Sequence, residues 1–459
     1  MIKQRYCQIV ELDLEIDRIF AAVMQLNRQI VNLAVPNIIS NITVPMLGMA
    51  DLALMGHLAS KEHIGAIALG TTIFNMIYMV FGFLRMGTSG FTAQAFGAQN
   101  KSDSILTLSR ALFVAVIAAF LILVLQYPIE RFSFWVLDAS PKVEELTRSY
   151  FYIRIWAAPA TISIYAFNGW FIGMQNARIP MMIAIFINAL NIILNFIFVY
   201  YFQMSSNGVA LGTVIAQYSG LLIAVFFLMK KYSAFLGFWK WKAMMQLQAL
   251  KLFLKVNGDI FIRTLLLISS LSFFTAISAQ ISDTVLAVNS ILFQYFLLFS
   301  YFIDGFAYAA EALVGKYTGA RQSAMLKKLV RRLFLWGMAM ATPFTVVYIF
   351  GNDWILRLLT DQQQVIDNAS PYLFWVAFIP FVTFPAFLWD GIFIGATASK
   401  PMRNTMVVAV ILIYLPAWFL LSPSLGNHGL WLALLLFMAA RGISLSLFAP
   451  HYIFSPRAS

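Results

Sequence analysis

Runs of about 20 apolar residues, enough to cross a bilayer as a helix, recur along this chain from Asn32 to Pro450, separated by short polar segments. The pattern predicts twelve spans, near 32–57, 64–95, 105–127, 147–173, 179–203, 207–229, 252–279, 285–315, 329–350, 368–395, 404–422 and 429–450. Several exceed the minimum, so tilt or extension beyond the membrane is expected. Residues 1–27 break the pattern: IVELDLEIDRIF mixes charges with apolar residues and reads neither as a span nor as a signal peptide. We read them as an N-terminal extension and Met24, which opens MQLNRQIVNLAVP, as the physiological start.

The pattern also repeats itself. NGWFIG at 168–173 returns as DGIFIG at 390–395, and FGAQ at 96–99 returns as TGAR at 318–321. Gly169 and Gly391, Gly97 and Gly319, and Tyr150 and Tyr372 are all 222 residues apart. With six helices in each half, both halves face the same way and are related by an axis along the membrane normal. The expected fold is therefore all-α: twelve transmembrane helices in two pseudo-symmetric six-helix bundles around a central cavity. The N-lobe would be 28–230, a cytoplasmic linker 231–251 and the C-lobe 252–459.

Composition agrees: 61% of residues are hydrophobic and 11% charged, against about 25% charged in soluble proteins. The net charge of +12 would suggest nucleic acid in a soluble chain, but here it falls in loops. Lys230, Lys231, Lys240, Lys242, Lys251 and Lys255 cluster between spans 6 and 7, and Lys316, Arg321, Lys327, Lys328, Arg331 and Arg332 between spans 8 and 9. Basic loops stay inside, so both termini are expected in the cytoplasm, with no nucleic-acid partner. The single Cys7 excludes an internal disulfide and a Cys-based metal site. His57, His63, His428 and His451 stand near span ends at no metal-ligand spacing, so neither metal nor cofactor is expected.

Two parallel bundles around a cavity suggest alternating access, hence a secondary transporter and not an enzyme. No GxxxxGK[ST] loop is present, so an ion gradient is the expected energy source. The charges inside the spans are the place to look, because each is costly there. Asp51, in VPMLGMADLALMGHL, lies about seven residues from the outer end of helix 1, about 10 Å deep. It is either a structural carboxylate or a titratable site. Pro36 and Pro45 in the same helix each remove a backbone hydrogen bond and favour bending. Asn188, Asn191 and Asn195 share one face of helix 5, where amides bind ions or join helices by hydrogen bonds. Asp304 and Glu311 are two turns apart on helix 8; with Asp390 and Arg263 they form either a buried ion-pair network or a second proton or substrate site. Arg85 in helix 2 reads as a structural counter-ion. Arg85 and Arg263 are the expected intramembrane cations, outnumbered by acids.

The runs VPMLGMADLALMGHL, FLRMGTSGFTAQAFGA, NGDIFIRTLLLISSLSFFTA, YFIDGFAYAAEALVGKYTGAR and LWDGIFIGATASKPMRN resemble the multidrug and toxic compound extrusion (MATE) family, most closely its bacterial branch named for DNA-damage-inducible protein F. The resemblance covers the chain from Asn27 onward. It implies two six-helix lobes and export of organic, often cationic compounds in exchange for H+ or Na+, across a bacterial inner membrane, by a chain expected to be a monomer. It matches Asp51 to the family's cation- or proton-binding aspartate and Pro36 to the proline about which helix 1 bends. Asn191 and Asn195 match an NxxxD pattern and Thr213 a hydroxyl of the same site. Here Asn195 stands where the family usually has aspartate. An amide cannot titrate, so the N-lobe site would hold one acid, which favours H+ over Na+. Two rivals are a flippase for lipid-linked precursors, which needs a basic cavity, and a membrane-embedded transferase, which usually has sizeable loops.

Overall fold

The computed structural model describes residues 24–43, 45, 46, 48, 61–137 and 139–455; Asp51 and His57 lie outside them. Among the described residues every regular element is helical, and ten helices are long and apolar enough to cross a membrane. We label the spans α1 (24–43), α2 (Glu62–Gly97), α3 (Lys101–Val124) and α4, built from Pro141–Arg154 and Ala158–Gly173 around a tight turn at Ile155–Ala157. The others are α5 (Arg178–Tyr201), α6 (Ser205–Lys231), α7 (Leu247–Ile281), α8 (Asp283–Gly319), α9 (Ser323–Phe350), α10 (Gln363–Gly395), α11 (Ser399–Leu425) and α12 (Asn427–Phe454).

Several helices begin a turn or more before the sequence expectation, and α4 and α7 show why. Helix α4 begins at Pro141 rather than near 147, because Ser140 is extended and proline takes the first helical position, where its missing N–H costs nothing. Helix α7 begins at Leu247, inside the segment read as linker, because the backbone is non-helical at Gln246 and turns helical after it, with Leu247 and Lys251 exposed.

The repeat is visible in the backbone. Helices α2, α4, α8 and α10 end at Gln99, Gln175, Arg321 and Thr397, all left-handed, with φ of 56°, 61°, 56° and 52°. At each end the next N–H reaches back to a carbonyl five residues earlier: Asn100 to Ala95, Asn176 to Phe171, Gln322 to Tyr317 and Ala398 to Phe393. These are Schellman closures, which satisfy orphan carbonyls at the cost of a left-handed residue. Each N-half closure matches its C-half partner at the 222-residue register.

The halves meet along α2 and α8, at the end carrying the basic loops. A Cβ on Gly97 would overlap the carbonyl oxygen of Lys316, and one on Gly319 would overlap that of Gln94. The two contacts are reciprocal, because Gln94 and Lys316 are also 222 apart. Glycine here lets two helix backbones touch, the usual way membrane helices gain close packing. Helix α1 runs against the other half: Ile30, Leu33 and Ala34 share a buried cluster with Phe299, Ile303 and Phe306 of α8. Asn41 donates to the Tyr301 carbonyl at 3.1 Å, and Asn188 of α5 donates to Thr43 at 3.1 Å. Helix α1 thus stands between the lobes.

Candidate functional site

The first polar group lies inside the N-lobe. Asn195 Nδ2 donates to Asn191 Oδ1 (3.0 Å), Asn191 Nδ2 donates to Thr213 Oγ1 (3.0 Å), and Thr213 donates to the Val209 carbonyl (2.9 Å). Both asparagines are buried. Gly212 of α6 allows the approach, since a Cβ there would collide with Asn195 Oδ1. Two residues beyond Asn195, α5 widens into a π-helical segment, Ile197–Tyr201, a deviation that recurs at functional positions. The structure therefore brings Asn191, Asn195 and Thr213 into one chain of hydrogen bonds. Asn188 departs from it toward α1.

The second group lies between the halves, beside a cavity of about 430 Å³. Helix α1 gives this cavity a polar face through Asn37 and Asn41, α4 contributes Asn168, and α2 contributes Tyr78 and Arg85. Helix α8 presents Asp304, Tyr308 and Glu311, while Arg263 and Asp390 come from α7 and α10. Helix α1 passes through buried Pro36 without a break, and Pro45 lines a separate apolar groove with Tyr301 and Phe344.

The charges form two sets. Arg263 donates to Asp390 in a short contact, and Arg441 Nη2 donates to the same carboxylate at 2.7 Å. Arg85 Nη1 instead faces Glu311 Oε2 at 3.5 Å, with its guanidinium 3.9 Å from the Tyr308 ring centre. Asp304 shares the face of α8 with Glu311. Among the described residues no hydrogen bond or ion pair joins it directly, while Arg85, Arg263 and Arg441 lie within electrostatic range.

Arg441 corrects the expected census of intramembrane cations. It is 1% exposed, and among the described residues three arginines and three acids meet around this cavity, so acids do not outnumber cations there. The signal was present, an arginine inside the last apolar run, and buried charges there need partners as much as Arg85 does. Periodicity could not reveal that Asp390 has two partners, because they come from α7 and α12.

The MatE family model matches residues 36–197 and again 260–419. DNA damage-inducible protein F of Escherichia coli K12 is 38% identical over 420 residues, covering 90% of each chain. The probable multidrug resistance protein NorM of Thermotoga maritima is 19% identical over 90% of each chain. The fold superposes on a solved outward-facing multidrug resistance MATE family transporter with a TM-score of 0.84, at 19% identity, covering 95% of this chain and 97% of that one. Matched in both halves by one family model, and over nine-tenths of its length by the Escherichia coli relative, the chain belongs to the MatE family: it is a membrane transporter of the multidrug and toxic compound extrusion type and not an enzyme.

Proposed function

We propose that this chain exports organic compounds, cationic or amphipathic, from a bacterial cytoplasm across the inner membrane in exchange for protons. The observation that carries this reading is the interlobe cavity, which has acids and aromatic rings in its wall and is sealed on one side by the α2–α8 seam. With the basic loops and both termini in the cytoplasm, the seam closes the inner side and the cavity belongs to an outward-facing state. Flat cations bind such walls through carboxylates and ring faces. The Thermotoga relative's name as a multidrug resistance protein points the same way.

Asp51 would bind the coupling proton. The Asn191–Asn195–Thr213 chain would complete its polar neighbourhood with acceptors that do not titrate. One carboxylate is fully neutralised by one proton, whereas Na+ gains from a second acid, so H+ is the favoured ion and Na+ the alternative. Protonation would remove a charge from the first span, whose described part, α1, touches both lobes and bends most cheaply at Pro36. Asn37 and Asn41 on that helix would carry the movement into the cavity.

A flippase would need free cations for a phosphate-bearing headgroup. Arg263 and Arg441 are both spent on Asp390, and Arg85 faces Glu311. The test is efflux of a fluorescent organic cation from proteoliposomes under imposed H+ and Na+ gradients, separately. The H+ gradient is expected to drive transport, and Asp51→Asn to abolish it. Proton-driven efflux that survives in Asp51→Asn would overturn the mechanism, and turnover driven only by Na+ would replace the coupling ion.

A further inference from the structure

Of the ion pairs among the described residues, Arg85–Glu311 is the one that joins the two halves; the others lie within one half. It spans the cavity just before the seam where α2 and α8 touch. The repeat does not require it. At the 222-residue register Arg85 corresponds to Ala307, Asp304 to Gly82 and Glu311 to Ser89. At each of these register positions one half has a small or neutral residue where the other has a charge, so the helix contact does not itself require the charges.

The environment of the Arg85 guanidinium is that of a bound planar cation. A ring face lies 3.9 Å from it, one carboxylate is 3.5 Å away, and a second, Asp304, is within electrostatic range. Aromatic face plus carboxylate is how proteins hold organic cations in apolar surroundings. The guanidinium is not tightly held. Its Nη2 is buried without a hydrogen-bond partner among the described residues, so displacing it forfeits few bonds.

We propose that Arg85 is a tethered stand-in for the transported compound: its guanidinium occupies the subsite of Tyr308, Glu311 and Asp304, where the cationic group of a monovalent organic substrate binds, and in this outward-facing state it competes with the substrate for that subsite. The inference rests on the cation-export reading above and adds the subsite and its internal competitor. Once substrate has left to the outside, Arg85 ties α2 to α8. A substrate cation that takes its place neutralises the same acids but is attached to neither helix, so the bridge between the halves is gone. An empty subsite would leave Glu311 buried without a counter-charge, so Arg85 takes its place there as the substrate departs.

The test measures binding of ethidium, a planar monovalent cation, to the full chain in lipid nanodiscs, with neutral Nile red as control. Arg85→Gln is expected to tighten ethidium binding about tenfold, because the competitor no longer has to be displaced. Arg85→Lys keeps the charge beside Glu311, so it provides a reading even where the glutamine variant does not fold. Its compact, strongly hydrated ammonium competes less well for a ring face, and about threefold tightening is expected. Nile red should bind all forms alike, and adding Glu311→Gln to Arg85→Gln should cancel the gain. Unchanged or weaker ethidium binding in both Arg85 variants, or an equal gain for Nile red, overturns the proposal. If the natural chain moves ethidium but the variants gain nothing, this inference alone falls. If it neither binds nor moves ethidium, the cation-export reading falls and this inference with it.

Discussion

Asp390 shows how much one side chain inside a membrane protein can carry. Its counterpart at the repeat register is Asn168, a neutral residue that lines the same cavity. In the second half the position became acidic and gathered Arg263 and Arg441 around one oxygen, Oδ2. Two guanidiniums on one carboxylate leave a local excess of positive charge, which the nearby Asp304 partly offsets. Asp390→Asn keeps the shape but leaves both buried arginines without the carboxylate they bond, with only the more distant Asp304 to offset them. It is expected to destabilise the fold by about 3–5 kcal/mol, the cost of breaking a buried pair from one side. Thermal unfolding in detergent checks this, and an unchanged midpoint would show that the arginines find other partners. The same scale explains what was legible here. Asp390, Arg263, Asp304 and Glu311 stand out because charge in an apolar run is rare. Which acid meets which arginine was not legible, since α7, α10 and α12 are joined only by tertiary packing. Arg85 pairs with Glu311 and not with an acid of its own half for the same reason.

Among the elements, four helices end alike without glycine at the left-handed position. Gln99, Gln175, Arg321 and Thr397 accept a conformation that costs an L-residue about 1–2 kcal/mol. At Gln175 and Thr397 the side chain gives something back. Gln175 Nε2 donates to the Ala312 carbonyl at 2.8 Å, and Thr397 Oγ1 accepts from Gln94 at 3.1 Å, so both tie one half to the other. Arg321 is exposed and has no such contact among the described residues. Arg321→Gly is therefore expected to stabilise the chain by about 1 kcal/mol through relief of the left-handed strain, seen as a higher unfolding midpoint. A lowered midpoint would mean that this side chain contributes more than its backbone costs. The repeat in FGAQ and TGAR was readable as a motif. That it marks a helix end with a left-handed residue emerged from the backbone, because neither motif has glycine at that residue.

For the molecule as a whole, the α2–α8 seam decides which side of the cavity is closed. Gly319→Val would place a branched side chain on the backbone of Gln94. It should leave each half able to fold while disfavouring the closed seam. A penalty of only about 1.4 kcal/mol shifts such an equilibrium tenfold, so efflux from proteoliposomes should fall about tenfold or more while the unfolding midpoint stays near that of the natural chain. Full activity in this variant would place the closing contact elsewhere.

Hydrophobic periodicity determined the spans, the 222-residue register determined their parallel pairing, and isolated charges pointed to the cavity wall. Each is a property of local composition or of comparison along one chain, since an apolar run has one stable place in a bilayer and a duplicated motif folds as its copy does. Three features waited for the tertiary structure: α1 lying between the halves, the partition of six charges around the cavity into two sets, and the placing of Arg85 on the ring of Tyr308. These depend on which helices become neighbours, and that is decided by side chains hundreds of residues apart meeting where water cannot compensate an unpaired charge.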